Sequence, residues 1–218
     1  MAAFVQQPGD ERLTSAMLSD SLDECGLRDQ VLERRLAPLV AGSRAFGRAA
    51  TAQFVPSAEH PPDDPYGVAI DFISDLQPGE LAVLATGEGN ASAFWGELFS
   101  AAAIGAGAVG VVTDGNLRDT RQVAGLGFAA FARSRRPIDF RFRMQITQSR
   151  SVVTIGGVRI ADGDLVLADD DGVVVVPQER EVEVLTRARV RAATESTVLE
   201  ELLAGESLRA VWDRHHIL

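Results

Sequence analysis

The sequence predicts an α/β layered fold, and three observations carry that expectation. Apolar residues at helical spacing occupy both ends of the chain, short apolar runs of strand character fill the middle, and turn residues separate those runs. The 218 residues suffice for one well-buried core, and nothing in the composition forces a division, so residues 1–218 are expected to form a single domain.

The first element is a helix: Leu13, Met17, Leu18, Leu22 and Cys25 follow helical spacing, with Thr14 placed to cap it and Gly26 to stop it. Ala45 to Val55 reads as a strand in which Gly47 tolerates close backbone approach, and Pro56 to Pro65, with four prolines, reads as a loop. A short helix over 66–76 ends at Pro78-Gly79, which leads into the strand Leu81 to Ala85. The glycine-rich stretch Thr86-Gly87-Glu88-Gly89-Asn90-Ala91 then precedes an alanine-rich helix predicted over 93–106, which leaves through Gly107. A helix start after such a loop offers unpaired backbone N–H groups and the positive end of a dipole, a place for an anion. No Gly-Lys-Ser/Thr follows, so a carboxylate suits it better than a triphosphate.

The apolar run Ala108 to Thr113 is a strand that ends in Asp114-Gly115-Asn116-Leu117-Arg118-Asp119. A guanidinium grips a carboxylate through two parallel hydrogen bonds, and a neighbouring aspartate holds a hard divalent cation. Open α/β sheets bind ligands at strand ends, so these residues describe a pocket for a 2-oxo acid. A surface ion pair capping a turn would read the same way.

Beyond it come a short helix over 120–126, a strand over 128–132 and a basic loop over 133–137. Residues 152–155, 158–160, 165–168 and 173–176 read as strands, and the turns Gly156-Gly157, Asp162-Gly163 and Asp171-Gly172 between them imply a compact barrel or sandwich. Asp169-Asp170-Asp171 belongs to such a turn rather than to a cation site. Helices over 179–204 and 207–215 close the chain, and the adjacent His215 and His216 point apart.

Lys and Arg number 21 against 31 Asp and Glu, a formal charge of −10 that argues against nucleic acid as a direct partner. Arg133, Arg135, Arg136, Arg141 and Arg143 cluster, which fits a solvated loop better than an anion-steering patch. The lone Cys25 permits no intrachain disulfide and fits a reducing cytoplasm. The first ten residues lack a signal-like pattern and no apolar run approaches bilayer length, so a soluble cytoplasmic protein with no membrane partner is expected.

A family resemblance rests on a spaced series: Trp95-Gly96-Glu97-Leu98, Gly110 to Gly115, Arg118-Asp119, Phe131-Ala132-Arg133, Gly163 to Val166, and Asp170 to Pro177. Over roughly residues 14 to 215 the chain resembles the RraA-like family, which holds class II 4-hydroxy-4-methyl-2-oxoglutarate / 4-carboxy-4-hydroxy-2-oxoadipate aldolases, oxaloacetate decarboxylases and the regulator of ribonuclease E activity A. The resemblance implies an αββα fold of the swivelling type, a central β sandwich or barrel with flanking helices, assembled as a homotrimer or hexamer with sites between subunits. It also implies roles: backbone N–H groups of Gly96, Glu97, Leu98 and Phe99 for the pyruvate carboxylate, Arg118 for the pyruvyl oxygens, and Asp119 as ligand to Mg²⁺ or Mn²⁺. Retro-aldol cleavage and decarboxylation of oxaloacetate share a pyruvate enolate, stabilised by the cation and by Arg118. Only the aldolase needs a base for the hydroxyl proton, a water held by Glu97 or by Glu195 of a neighbouring chain. Glu97 equally reads as a carboxylate complementing a helix dipole, and Glu195 as an exposed helix charge. Aldolases of this group commonly carry an acid three positions past the aspartate, where this chain has Gln122, which favours the decarboxylase reaction. The alternative function is a non-catalytic inhibitor that binds a ribonuclease E-type enzyme; a menaquinone methyltransferase role finds no matching nucleotide-binding residues.

Overall fold

The computed structural model describes residues 6–33, 36–57, 64–87 and 91–217. Most of the proline-rich stretch, His60 and residues 88–90 of the glycine-rich loop lie outside them. The helices are α1 (Ser15–Glu24), α2 (Gly67–Ser74), α3 (Glu97–Gly105), α4 (Thr120–Gly125), α5 (Glu181–Leu203) and α6 (Leu208–His215). The strands are β1 (Ala37–Pro38), β2 (Ala45–Pro56), β3 (Glu80–Ala85), β4 (Ala93–Trp95), β5 (Gly110–Leu117), β6 (Ala130–Arg135), β7 (Met144–Ser149), β8 (Val153–Ile155), β9 (Val158–Ile160), β10 (Leu165–Ala168) and β11 (Val173–Val176).

Nine strands form one mixed sheet in the order β1-β6-β5-β3-β2-β10-β11, with β4 on β5 and β7 on β2, curled into a half-barrel with flanking helices. Its centre is parallel: β2, β3, β5 and β6 are joined through α2, α3 and α4, the crossover that parallel pairing requires. All eight residues of β5 are buried, which explains why its first half, Gly110-Val111-Val112, is apolar without alternation. Gly47 is needed where β2 passes the turn before β3, since a Cβ there would lie 2.5 Å from the Gly79 carbonyl oxygen.

Two apolar clusters sandwich the sheet centre, one under α2, α3 and α4 and one beneath the β8–β9 ribbon. A third joins α1 and α5 to β10 and β11, filled by Leu18, Leu22, Leu165, Val174 and Leu185. α1 begins where the sequence places it: the Thr14 hydroxyl accepts from the Met17 N–H at 3.2 Å. Asp169, in the β10–β11 turn, accepts from the Ser15 N–H and hydroxyl, each at 2.7 Å, which ties that turn to the helix.

Two expectations change. The helix predicted over 93–106 starts only at Glu97, because Ala93–Trp95 pair in parallel with Asn116 and Leu117 of β5. Tertiary pairing of Ala93-Phe94-Trp95, which is rich in strand-favouring aromatics, overrides the alanine-rich helical signal. The four strands over 152–176 do not close a barrel of their own: β10 and β11 extend the main sheet, while β8 and β9 form a separate hairpin.

Candidate active site

The parallel strands β4 and β5 end side by side, and the chain leaves one at Gly96 and the other at Arg118-Asp119. The Trp95 carbonyl accepts from the Arg118 N–H at 2.9 Å, locking the two exits together. Ligands of open α/β sheets bind at this carboxyl edge. A cavity of about 380 Å³ opens there, lined by Gly96, Leu98, Phe99, Arg118 and Asp119, with Tyr66 and Phe140 opposite.

The guanidinium is held by a partner far away in sequence. Its Nη1 donates to Asp139 Oδ2 at 2.6 Å, and the Tyr66 hydroxyl donates to the same oxygen at 2.6 Å. The other Asp139 oxygen accepts from the Arg141 N–H at 2.9 Å. Burial alone would raise the Asp139 carboxyl, but the hydrogen bonds from Arg141, Tyr66 and Arg118 outweigh it and hold it below the usual carboxylate range. Burial, followed by the bond to Asp139, pushes the Tyr66 phenol up. Burial opposes the charge on Arg118, and the Asp139 hydrogen bond overcomes that opposition, so the cation is reinforced. The fork expected to face a ligand therefore has one nitrogen committed to a protein carboxylate.

Asp119 adopts φ 52°, ψ 36°, a left-handed conformation that costs a residue with a Cβ about 1–2 kcal/mol. Such strain concentrates at functional positions. Its Oδ2 lies 3.6 Å from Arg118 Nε and 3.4 Å from the Glu97 backbone nitrogen, so the carboxylate sits against the N-terminus of α3. That helix start has no capping side chain of its own. Gly96 makes the approach possible: a Cβ there would stand 2.6 Å from Asp119 Oδ2 and 3.0 Å from Arg118 Cγ.

Thus Gly96, Leu98, Phe99, Arg118 and Asp119 meet around one cavity, and Glu97 joins them through its backbone. Glu195 does not: it pairs with Arg191 at 2.7 Å on α5. Asp114 is buried inside β5, where it accepts from the Thr86 N–H and hydroxyl at 2.7 and 2.8 Å and anchors that turn; burial raises its carboxyl. Tyr66 and Asp139 escape a sequence reading because they lie 52 and 21 residues from Arg118 and form no motif with it. The residue pattern Pro137-Ile138-Asp139-Phe140 carries no chemical signature.

Among the described residues no group of three His, Cys, Asp or Glu side chains is placed to cage a metal ion. Mg²⁺-like cations take one or two carboxylates and keep several waters, and Asp119, with its side chain 41% exposed, fits that role. The donor set suits a water-rich site completed by substrate oxygens.

The family model described as Aldolase/RraA matches residues 15–175, and the chain belongs to the RraA-like family. The Legionella pneumophila protein DlpA is 26% identical over 194 residues, 89% of this chain but 31% of that protein, so this chain spans about a third of DlpA. A Halalkalibacterium halodurans protein provisionally named 4-hydroxy-4-methyl-2-oxoglutarate aldolase is 29% identical over 181 residues, 83% of this chain and 80% of that one. Among solved structures, Streptomyces coelicolor RraAS2, titled an unusual member of the RNase ES inhibitor RraA protein family, aligns at TM-score 0.79 and 29% identity, covering 88% and 96% of the two chains. The family thus joins names of both kinds, aldolase and ribonuclease inhibitor. No helix among the described residues is long and apolar enough to cross a membrane.

Proposed function

We propose that this chain is a divalent-metal-dependent carbon–carbon lyase that releases pyruvate from a 2-oxo acid, by decarboxylating oxaloacetate, by retro-aldol cleavage of 4-hydroxy-4-methyl-2-oxoglutarate, or by both. The observation that carries this reading is the meeting of Gly96, Arg118 and Asp119, from two adjacent strand ends, on one cavity. Backbone N–H groups at the start of α3 bind the substrate carboxylate, aided by the positive end of the helix dipole. Arg118 faces the keto oxygen and stabilises negative charge as it develops there, from a position fixed in advance by Asp139. Asp119 would hold Mg²⁺ or Mn²⁺, which when bound supplies Lewis-acid polarisation of the keto group.

Decarboxylation needs no base: carbon dioxide leaves with its bond electrons staying on C3 as the enolate, and C3 then takes a proton from water to give pyruvate. The aldol reaction also needs the substrate hydroxyl deprotonated; Glu97, in the first turn of α3, is this chain's candidate, working through a water. Gln122, exposed in the first turn of α4, is neutral and cannot take that proton, which favours decarboxylation. Glu195 enters only if a neighbouring copy brings it there, so a homotrimer or hexamer belongs to this proposal.

Purified protein with Mg²⁺ or Mn²⁺ is expected to release pyruvate from at least one of the two substrates, and chelation to abolish it. Arg118→Ala is expected to lower kcat/KM by about a hundredfold or more, and Asp119→Ala to remove the response to metal. Absence of pyruvate from both substrates would defeat the proposal. The likeness to Streptomyces coelicolor RraAS2 favours a second reading, inhibition of a ribonuclease by contact. Its test is stable co-elution with a ribonuclease E-type enzyme and inhibition that survives Arg118→Ala.

A further inference from the structure

We infer that for retro-aldol cleavage the cavity selects a 4-hydroxy-2-oxo acid whose far end is apolar and ring-sized, in place of the second carboxylate that 4-hydroxy-4-methyl-2-oxoglutarate presents. The inference rests on the lyase reading above and narrows its substrate class. The cavity, at about 380 Å³, falls in the size range of sites that enclose drug-sized ligands. A three-carbon pyruvyl unit held at Gly96, Arg118 and Asp119 leaves most of it open.

The open part is apolar. Ile70, Phe94, Leu98, Phe99 and Phe140 line it, and the Phe94 and Phe140 rings stack at 6.0 Å between centroids, with Phe99 6.4 Å from Phe140. Among the described residues of one chain, Arg118 and Asp119 are the only charged ones lining it, and the guanidinium already faces two carboxylates, Asp139 at 2.6 Å and Asp119 at 3.6 Å. The Tyr66 hydroxyl, on the opposite wall, donates to Asp139. A second substrate carboxylate would therefore lose its hydration against aromatic rings and meet no new donor, which is strongly unfavourable. An aryl or branched alkyl group there instead gains offset or edge-on ring contacts.

The nearby cations lie elsewhere. Arg135 and Arg136 line a separate hollow of about 340 Å³ on the other side of Arg118 and Asp119. Arg141 is stacked over the rings of Tyr66 and Phe142, at 5.6 and 4.8 Å. A dicarboxylate reaching that second hollow is the competing arrangement.

For 4-hydroxy-2-oxo-4-phenylbutanoate the step balances without a further reactant. The C3–C4 bond breaks, its electron pair stays on C3 as the enolate, and the hydroxyl electrons close the aldehyde carbonyl. The hydroxyl proton leaves to water and C3 takes one back, giving benzaldehyde and pyruvate.

Two measurements on the full chain with Mn²⁺ test this. The first is cleavage of 4-hydroxy-2-oxo-4-phenylbutanoate against 4-hydroxy-4-methyl-2-oxoglutarate. The second is quenching of Trp95, which lines the cavity, by pyruvate, phenylpyruvate and 2-oxoglutarate in a Trp212→Phe background. The phenyl substrate is expected to be cleaved with at least tenfold higher kcat/KM, and phenylpyruvate to bind at least tenfold more tightly than 2-oxoglutarate. Ile70→Lys and Leu98→Lys, at exposed positions on the cavity mouth, are expected to reduce or reverse that ratio. Equal or tighter binding of 2-oxoglutarate, or a ratio unmoved in both variants, overturns the inference. If pyruvate binds and only the dicarboxylate is cleaved, the inference falls and the lyase reading stands. If pyruvate does not bind and neither of these substrates nor oxaloacetate is cleaved, both fall.

Discussion

Asp139 is the residue on which the candidate site turns. An unanchored arginine loses about 2 kcal/mol of side-chain entropy when a ligand fixes it; here Asp139 already holds the Arg118 guanidinium, and the Trp95 carbonyl holds its backbone N–H. Asp139→Asn keeps the shape and removes the charge, so it is expected to raise KM for the 2-oxo acid about tenfold, the value of one charged hydrogen bond, with a smaller change in kcat. Tyr66→Phe removes one of three donors to the same carboxylate and is expected to do less. A Michaelis constant unchanged in Asp139→Asn would show that Arg118 needs no anchor. Because the folded-state carboxyl is depressed, its contribution is complete above the ordinary carboxylate range and is lost as pH falls through the lower folded value. Substrate affinity is therefore expected to hold through the ordinary carboxylate range and to weaken only as pH falls through that lower value. Gly96→Ala tests the same geometry from the facing side: its Cβ collides with Asp119 Oδ2, so metal-dependent turnover is expected to collapse while the thermal unfolding midpoint moves by only a few degrees.

The ends of helices and strands explain how much of this a sequence reading reaches. The central strand β5, the β10–β11 hairpin, and the start of α1 follow from local rules: a doubly buried apolar run, an Asp-Gly turn, and a threonine cap. Arg118 and Asp119 are visible for the same reason, since they sit next to each other at the end of a strand that is plain in the sequence. β4 is not, because three residues pair as a strand only once β5 lies beside them. The helix start that faces the cavity consequently lies at Gly96–Glu97, several residues later than composition implies. The Tyr66–Asp139–Arg118 triangle is hidden more deeply: its members come from three separate connections and meet only when the sheet has curled. Where local rules do hold, they carry measurable energy. Thr14→Ala removes the α1 cap and is expected to lower the unfolding free energy by about 1 kcal/mol. Asp169 also holds the first turn, so the double change with Asp169→Ala is expected to cost less than the sum, because each single change already forfeits the support that one contact lends the other. Urea unfolding of the two single variants and the double variant measures this, and strict additivity would separate the two contacts.

The chain's two ends are fastened to the sheet by charge as much as by apolar contact, and this sets how the protein responds to acid. Asp10 is fully buried, accepts from Arg189 Nε and Nη2 on α5 at 2.8 and 3.0 Å, and lies beside Arg44, whose Nη2 donates to the Asp10 carbonyl at 2.8 Å. Arg48 of β2 meets Glu181 of α5 at 3.0 Å, and Arg191 of α5 meets Asp20 of α1 at 2.6 Å. Burial by itself would raise the Asp10 carboxyl; the hydrogen bonds from Arg189 and the Gln7 N–H prevail and depress it. Its stabilisation is therefore present at neutral pH and drains away as pH drops through the depressed value. Asp114, Asp162 and Asp164 work in the opposite sense, since burial, the largest influence on each, raises them. In the folded state they hold protons to higher pH than when unfolded, so they cost stability as pH climbs past the ordinary carboxylate range and cost nothing in acid. Asp10→Asn separates the two groups. It leaves Arg189 without its counter-charge, which is expected to cost up to about 3 kcal/mol at pH 7, and the gap from the parent protein is expected to narrow as pH approaches 3. Urea unfolding at a series of pH values measures the gap; one that is constant with pH would mean that Asp10 contributes through shape and hydrogen-bond count rather than through its charge.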